Sequence, residues 1–359
     1  MNLPRPMLVV EKHEVLTPRF AAIDAHNHLG PFFGCDWSRR PASELPDVLD
    51  EAGIRHVVDL DGGFGDHFYR EIEKWGALGD RVLVFAGVGW ERLAASPSLG
   101  ERAALEIEQA AAGGAKGLKI WKDFGLRVRD GEGKLIAVDS PRLDPVWARA
   151  GELGLPVLIH VGDPVAFFEP LEESNERWDE LRRTPEWSFH GPEFPRLETL
   201  LEALENVIAR HPRTTFIGAH VGCYAENLAY VGGMLDRLPN YYIDIGARAA
   251  ELGRQPHTAR RFFLRYADRI LFGTDNAPDP RSYRIYYRLL ETNDDYFPYW
   301  HSGDRPWQGS WYIHGLGLPD AVLQRVYYGN AARLLKVGGR NWDSEPERAS
   351  TVLAGERPS

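Results

Sequence analysis

Apolar and polar positions along the chain fall into one repeating unit: a short apolar run bounded by turn residues, a loop, a stretch with helical spacing, then the next run. Eight such runs read as strands: Ala21 to His28, His56 to Asp61, Val82 to Trp90, Ala115 to Trp121, Pro156 to Gly162, Thr214 to Val221, Tyr241 to Gly246 and Ile270 to Thr274. Between them lie helical patterns such as Ser43 to Ala52, Glu101 to Ala112, Asp144 to Leu153, Leu197 to Arg210 and Thr258 to Ala267, several ending in a helix-stopping Gly or Pro. Strands alternating with helices predict a parallel sheet, and eight of them predict a closed (β/α)8 TIM-like barrel of class α/β.

Runs such as Val82-Leu83-Val84-Phe85-Ala86 and Val157-Leu158-Ile159-His160 stay apolar until their last residues, as strands covered on both faces do. Polar residues gather at the carboxyl ends, the rim where the βα loops of a barrel converge and where its chemistry sits. Long insertions over Lys122 to Asp139 and Asp163 to Pro195 leave that rim and are read as lid or pocket walls. A third segment, Arg281 to His314, is rich in Tyr, Trp and Phe without clean periodicity and is expected to fold over the same face. The domain plan is therefore an amino-terminal arm over 1–20, one barrel over 21–336 and a polar, frayed tail over 337–359.

Composition narrows the class. A length of 359 residues would suggest two domains, yet barrels of ~250 residues and more fold as one. A hydrophobic content of 43% with 26% charged residues excludes disorder and collagen-like repeats. The formal charge of −10, without a basic stripe, argues against a nucleic-acid partner. Met1 to Pro18 lacks a signal-peptide core, and no stretch reaches the ~18 apolar residues of a membrane span, so a cytoplasmic location with no membrane partner is expected. Cys35 and Cys223 read as free thiols in a reducing compartment.

The chemistry gathers at strand ends. Ile23-Asp24-Ala25-His26-Asn27-His28 closes the first strand, and alternation places His26 and His28 on one face. His160 closes the fifth strand, His220 the sixth and Asp275 the eighth. Any one of these histidines alone reads as an ordinary hydrogen-bonded imidazole. Together at the mouth of one barrel, four imidazoles and a carboxylate would cost several kcal/mol to bury unpartnered, a cost that a bound cation offsets.

The order His-x-His, His, His, Asp on strands one, five, six and eight resembles the amidohydrolase superfamily. More narrowly it is similar to the amidohydrolase-related, or amidohydrolase 2, branch, which includes decarboxylases similar to aminocarboxymuconate-semialdehyde decarboxylase. The likeness extends from about Ile23 to Leu335 and includes Gly273-Thr274-Asp275 and Gly329-Asn330-Ala331-Ala332-Arg333-Leu334-Leu335. It implies one divalent ion, zinc first with manganese, iron or cobalt as alternatives, held by His26, His28, His160 and Asp275. It implies for His220 a hydrogen bond to the ion's water or a general-base role. Two-metal members use a bridging carboxylated lysine or a glutamate at the end of strand four, a place that Lys119 or Lys122 would fill here.

The leading expectation is a metal-dependent hydrolase acting on an amide, ester or lactone-type bond of a small molecule, with Asp275 moving the proton and His220 assisting. The alternative is a non-oxidative decarboxylase of a carboxylated aromatic or dienoic acid, for which Lys119, Arg248 and Lys122 are candidate carboxylate holders. A metal-binding scaffold without catalysis is the third reading. Trp90 and Trp121, at strand ends, are candidate aromatic walls for the substrate. Other rim residues are Asp61, Asp163, His190 and Glu226, with His190 read as a surface residue. The aromatic segment over 286–311 would serve either as a pocket cap or as the apolar patch of a homodimer.

Overall fold

The computed structural model describes residues 7–30, 37–300 and 306–338. Eight strands follow one another around a single sheet: β1 (Ala22–Asn27), β2 (Ile54–Asp59), β3 (Val82–Ala86), β4 (Gly117–Ile120), β5 (Val157–Ile159), β6 (Phe216–Gly218), β7 (Tyr241–Asp244) and β8 (Ile270–Leu271). Each pairs in parallel with the next, as in Val57 with Val82 and Leu118 with Val157. Between β8 and β1 the ring is drawn together by backbone hydrogen bonds from Ala25 to Phe272 (2.9 Å) and from Asp275 to His26 (2.7 Å), with a parallel bridge between Asn27 and Asn276. The chain is a (β/α)8 barrel.

The strands are shorter than their apolar runs, because residues beyond the ladder turn out of the sheet to face the mouth. The third strand departs most from expectation. It stops at Ala86, and Trp90 opens a one-turn helix, Trp90–Leu93. Side chains fill the barrel interior, among them Ile23, Val58, Leu83, Leu158, Ile217 and Leu271. Leu335 and Ala331, from the last helix, Asn330–Leu335, pack into this same interior cluster.

Helices form the outer layer. Those over Leu45–Ala52 and Asp144–Leu153 both end in a left-handed glycine, Gly53 (φ 73°) and Gly154 (φ 64°), where only glycine avoids the Cβ penalty. The segment after β8 departs from expectation: its first part is a regular helix, Pro280–Glu291, capped by the Asp279 side chain on the Arg281 amide, with Pro280 in its first turn. It then leads to a two-stranded ribbon of Phe297–Pro298 and Tyr312–Ile313. Cys223 is free and buried. Cys35, and the expected tail from 339 onward, lie outside the described residues. Among the described residues no helix is long and apolar enough to cross a membrane.

Candidate metal centre

Among the described residues, two groups of three ligand-type side chains bring one ligand atom each to within 4.8 Å of one another: His26, His28 and Asp275, and His26, His220 and Asp244. The first pair comes from the end of β1, where alternation does place both rings on the inner face. Asp275 follows β8 in a left-handed conformation (φ 58°) that turns its carboxylate inward. His26 Nε2 and His28 Nε2 each stand 3.1 Å from the same oxygen, Asp275 Oδ1.

The other nitrogen of each imidazole is committed, and the commitment fixes the tautomer. His26 Nδ1 donates to Asp244 Oδ2 (2.9 Å), and His28 Nδ1 donates to Asp61 Oδ1 (2.8 Å). His220 Nδ1 donates to the Gly246 carbonyl (2.9 Å), and His160 Nε2 donates to the Gly162 carbonyl (3.1 Å) with Asp163 Oδ1 at 3.5 Å. A carbonyl oxygen can only accept, so Nε2 of His220 and Nδ1 of His160 carry lone pairs. Carboxylates behind imidazoles are the arrangement that orients metal-ligating histidines.

These lone pairs are the test of whether the residues suit an ion. Among the described residues His26 Nε2 is buried without a hydrogen-bond partner, and it and His28 Nε2 converge on an anionic oxygen. Three electron-rich atoms facing one another away from bulk solvent call for positive charge among them. Burial opposes charge on the His28 ring, but the carboxylates of Asp275 and Asp61 outweigh it and push the group up to about 9. Burial likewise raises Asp275, yet the rings of His26 and His220 hold it well below the usual carboxylate range. The donor set, two imidazoles and a carboxylate, suits a divalent ion of the zinc, manganese, iron or cobalt class.

His160 sits differently from the expectation that groups it with His26, His28 and Asp275. It lines the same cavity but belongs to neither tight group, and its ring packs edge-on against His220 at 4.4 Å. Burial pushes it down to about 4, so it stays neutral. His220 also stays neutral, held well below its ordinary value by burial and by His160 and Arg248. Its backbone is strained: His220 and Val221 (φ 58° each) and Cys223 (φ 63°) are non-glycine residues in the left-handed region, as is Ala247 (φ 52°) past β7. Such conformations cost about 1–3 kcal/mol each and persist where the surroundings over-determine them.

The cavity above these residues holds about 900 Å³ and takes walls from all three long segments. Lys119 lines it, is 1% exposed, and its Nζ has no hydrogen-bond partner among the described residues, standing 4.8 Å over the Trp121 ring. Burial lowers its pKa against the pull of Asp275 and Asp244. Trp121 in turn lies 5.2 Å from His28. Arg248 lines the cavity too, and its guanidinium donates to the neighbouring Ala247 carbonyl (2.9 Å). Lys122, by contrast, is spent on an ion pair with Asp163.

Trp90 does not reach the cavity. It is part of the apolar core, edge-on to Phe124 at 4.8 Å, because the chain turns into a helix before it can project over the rim. His190 is exposed, with Nδ1 on the Phe168 carbonyl, and Glu226 is half-buried, its Oε1 accepting from the Val165 amide (3.1 Å). Asp244 is the residue for which the sequence suggested no role, although a carboxylate ending an otherwise buried strand carried the same signal as the histidines. Arg177 is the other. It lies buried in the insertion after β5, paired with Glu180 (2.8 Å) and with Glu251, and no local pattern marks it.

A family model described as amidohydrolase matches residues 23–337, and the chain belongs to that family. No curated protein matches the sequence. Solved structures of the same fold include 2,6-dihydroxybenzoate decarboxylase from Rhizobium, with 16% identity and a TM-score of 0.54 over 88% of this chain and 99% of that one. A dihydroxybenzoic acid decarboxylase from a Polaromonas species, solved with manganese and the inhibitor 2-nitroresorcinol, aligns at 15% identity and TM-score 0.54 over 88% and 97%. An uncharacterized TIM-barrel protein from Bordetella bronchiseptica aligns at 16% and 0.52 over 88% and 98%. At these identities the likeness is one of fold.

Proposed function

We propose that this amidohydrolase-family barrel is a metal-dependent, non-oxidative decarboxylase of a carboxylated aromatic or dienoic acid. The observation that carries the reading is Lys119, a buried lysine whose Nζ has no hydrogen-bond partner among the described residues, on the wall of a cavity whose floor holds the His26, His28 and Asp275 cluster. An unpaired buried cation is costly to the fold, and an anionic substrate is the partner that offsets the cost. A hydrolase, the leading expectation from sequence, would use the same lysine on a developing oxyanion or as a carboxylated bridge, whereas a carboxylated substrate brings a full charge to it in the ground state. The dihydroxybenzoate decarboxylases of like fold support the choice.

His26, His28 and Asp275 would hold the ion, with the Nδ1 lone pair of His160 completing the set. When bound, the ion supplies Lewis acidity and an anchor for an acidic oxygen of the substrate. Lys119 and Arg248 hold carboxylate charge, and Trp121 offers a flat face to a ring or diene. When the carbon–carbon bond breaks, carbon dioxide leaves and the electron pair remains on carbon, which must take up a proton. Asp275, held ionised, and neutral His220, whose Nδ1 lies 3.9 Å from Asp275 Oδ2, bring no proton of their own to that carbon, so the proton enters from water. His220, fixed in tautomer by Gly246, would take that proton from water at its Nε2 lone pair and pass it to the carbon, the hydroxide leaving with the carbon dioxide as bicarbonate.

The test is a parallel screen of metal-loaded protein for carbon dioxide release from carboxylated phenols and dienoic acids, and for hydrolysis of amides, esters and lactones. Release that disappears in Asp275→Asn, with the fold retained by circular dichroism, is expected. Hydrolysis without release returns the site to the hydrolase reading, and silence in both with stoichiometric metal leaves a binding scaffold.

A further inference from the structure

The cavity is larger than the reaction needs. At about 900 Å³ it stands near the top of the range of about 300–1,000 Å³ for pockets that enclose drug-sized ligands. An ion and a few waters, at about 30 Å³ each, leave most of it unfilled. Its aromatic lining also comes in two tiers. The inner one is Trp121, fixed at the end of β4 beside His28 and Lys119. The outer one comes from the long segments after β5 and β8: Trp187, stacked with Phe167 at 6.5 Å, and Trp300 and Trp307.

The outer tier is built. Lys122, held by Asp163, places its ammonium 5.8 Å from the Trp187 ring. Arg183, from the same insertion as Trp187, covers the Trp307 ring at 4.4 Å and donates to the Trp307 carbonyl, so the two segments are fastened to one another across the mouth. Trp307 remains 45% exposed despite this, a large apolar face turned to solvent. Flat indole faces at two depths suit flat rings at two depths, stacked or edge-on.

We infer that the acid this site accepts is a two-ring aromatic one, its carboxylated ring against Trp121 near His28 and Lys119 and its second ring between Trp187 and Trp307. The inference rests on the decarboxylase reading for the acid group, and on the cavity alone for the second ring. A one-ring acid would touch only the inner tier.

Binding separates the two. Zinc-loaded protein is titrated calorimetrically with a hydroxybenzoate, a hydroxynaphthoate and a hydroxybiphenyl carboxylate, while carbon dioxide release is followed with the same acids. A two-ring acid is expected to bind at least tenfold more tightly than the one-ring acid. Trp187→Ala and Trp307→Ala, both on the outer segments, are expected to abolish that advantage while leaving the one-ring affinity within twofold. Equal or tighter binding of the one-ring acid overturns the inference, as does binding of neither, or variants that weaken all the acids alike. Tight two-ring binding without carbon dioxide keeps the inference and overturns the decarboxylase reading. The wild-type comparison stands even if a variant fails to fold.

Discussion

Asp24, on β1, accepts both the backbone N–H (3.1 Å) and the hydroxyl (2.7 Å) of Thr274, just past β8. Tyr283 (2.9 Å) and Asn27 (2.8 Å) donate to the same carboxylate, which is fully buried. The first and last strands share no long ladder, so this acid fastens the seam of the barrel. It also sets His26, on β1, and His28, just past its end, against Asp275, the residue after Thr274.

Thr274→Val should therefore remove one hydrogen bond to a buried carboxylate at nearly constant volume and lower unfolding stability by about 1–3 kcal/mol. The urea midpoint reads this. Metal affinity, measured by competition with a chelating indicator, should fall in the same variant, since the seam positions ligands from both strands. A variant with unchanged midpoint and affinity would show that the backbone bonds suffice.

Much of this arrangement was legible in the chain. Eight apolar runs, each ending in polar residues, gave the barrel and its rim, because strands buried on both faces leave an uninterrupted signal. His26, His28 and Asp275 were legible for the same reason. The helix over Pro280–Glu291 was not. Its buried face is Tyr283, Tyr286, Tyr287, Leu289 and Leu290, a helical spacing that tyrosines conceal when read as loop aromatics. Their hydroxyls reach Asp24, the Thr274 carbonyl and the Ala52 carbonyl, partners hundreds of residues away or across a loop. Trp90 misled in the opposite sense: the strand stops at Ala86, where the two glycines of Gly87-Val88-Gly89-Trp90 break it, and a strand read through to Trp90 passes over them. The pairing of Lys122 with Asp163 and the burial of Arg177 depend on how insertions fold back, which no periodicity records.

Asp163 faces His160 with one oxygen and Lys122 with the other. Asp163→Ala should free the His160 ring to rotate and weaken metal binding by about 10–100-fold, the usual cost of losing a carboxylate behind a ligating histidine. Lys122→Arg, which keeps the positive partner, should remain within a few-fold of wild type. Chelator competition measures both, and an Asp163→Ala protein that binds metal as tightly as wild type would remove His160 from the ligand set.

The amino-terminal arm is tied down by Asp294, which accepts from the His13 amide (2.8 Å), the His13 ring (2.5 Å) and the Arg288 guanidinium (2.7 Å). Burial raises this carboxyl, but the amide and ring of His13 and the charge of Arg288 hold it below its usual value. A depressed carboxyl contributes stability that is fully present above its unfolded value, about 3.9, and is lost as pH falls through the folded value. Asp294→Asn should thus be less stable than wild type at pH 7, with the gap closing below about pH 4. Trypsin at pH 7 should also cut the variant faster at Lys12 or Arg19. A stability gap independent of pH would mean that the carboxylate charge is not what holds the arm.

Lys119 separates stability from function most sharply. Its amine is buried over the Trp121 ring without a hydrogen-bond partner among the described residues while Asp275 and Asp244 attract it, so the fold bears its desolvation without a direct ion pair there. Lys119→Met keeps the length and apolar stem of the side chain and should leave thermal stability unchanged or raise it. The same change should raise KM for the carboxylated substrate by about 10–100-fold, the worth of one hydrogen bond to a charged group. Thermal unfolding and steady-state carbon dioxide release, measured on one preparation, give both numbers. A variant that loses stability and keeps its KM would make Lys119 a structural cation, and the substrate's acid group would then have to be sought at Arg248.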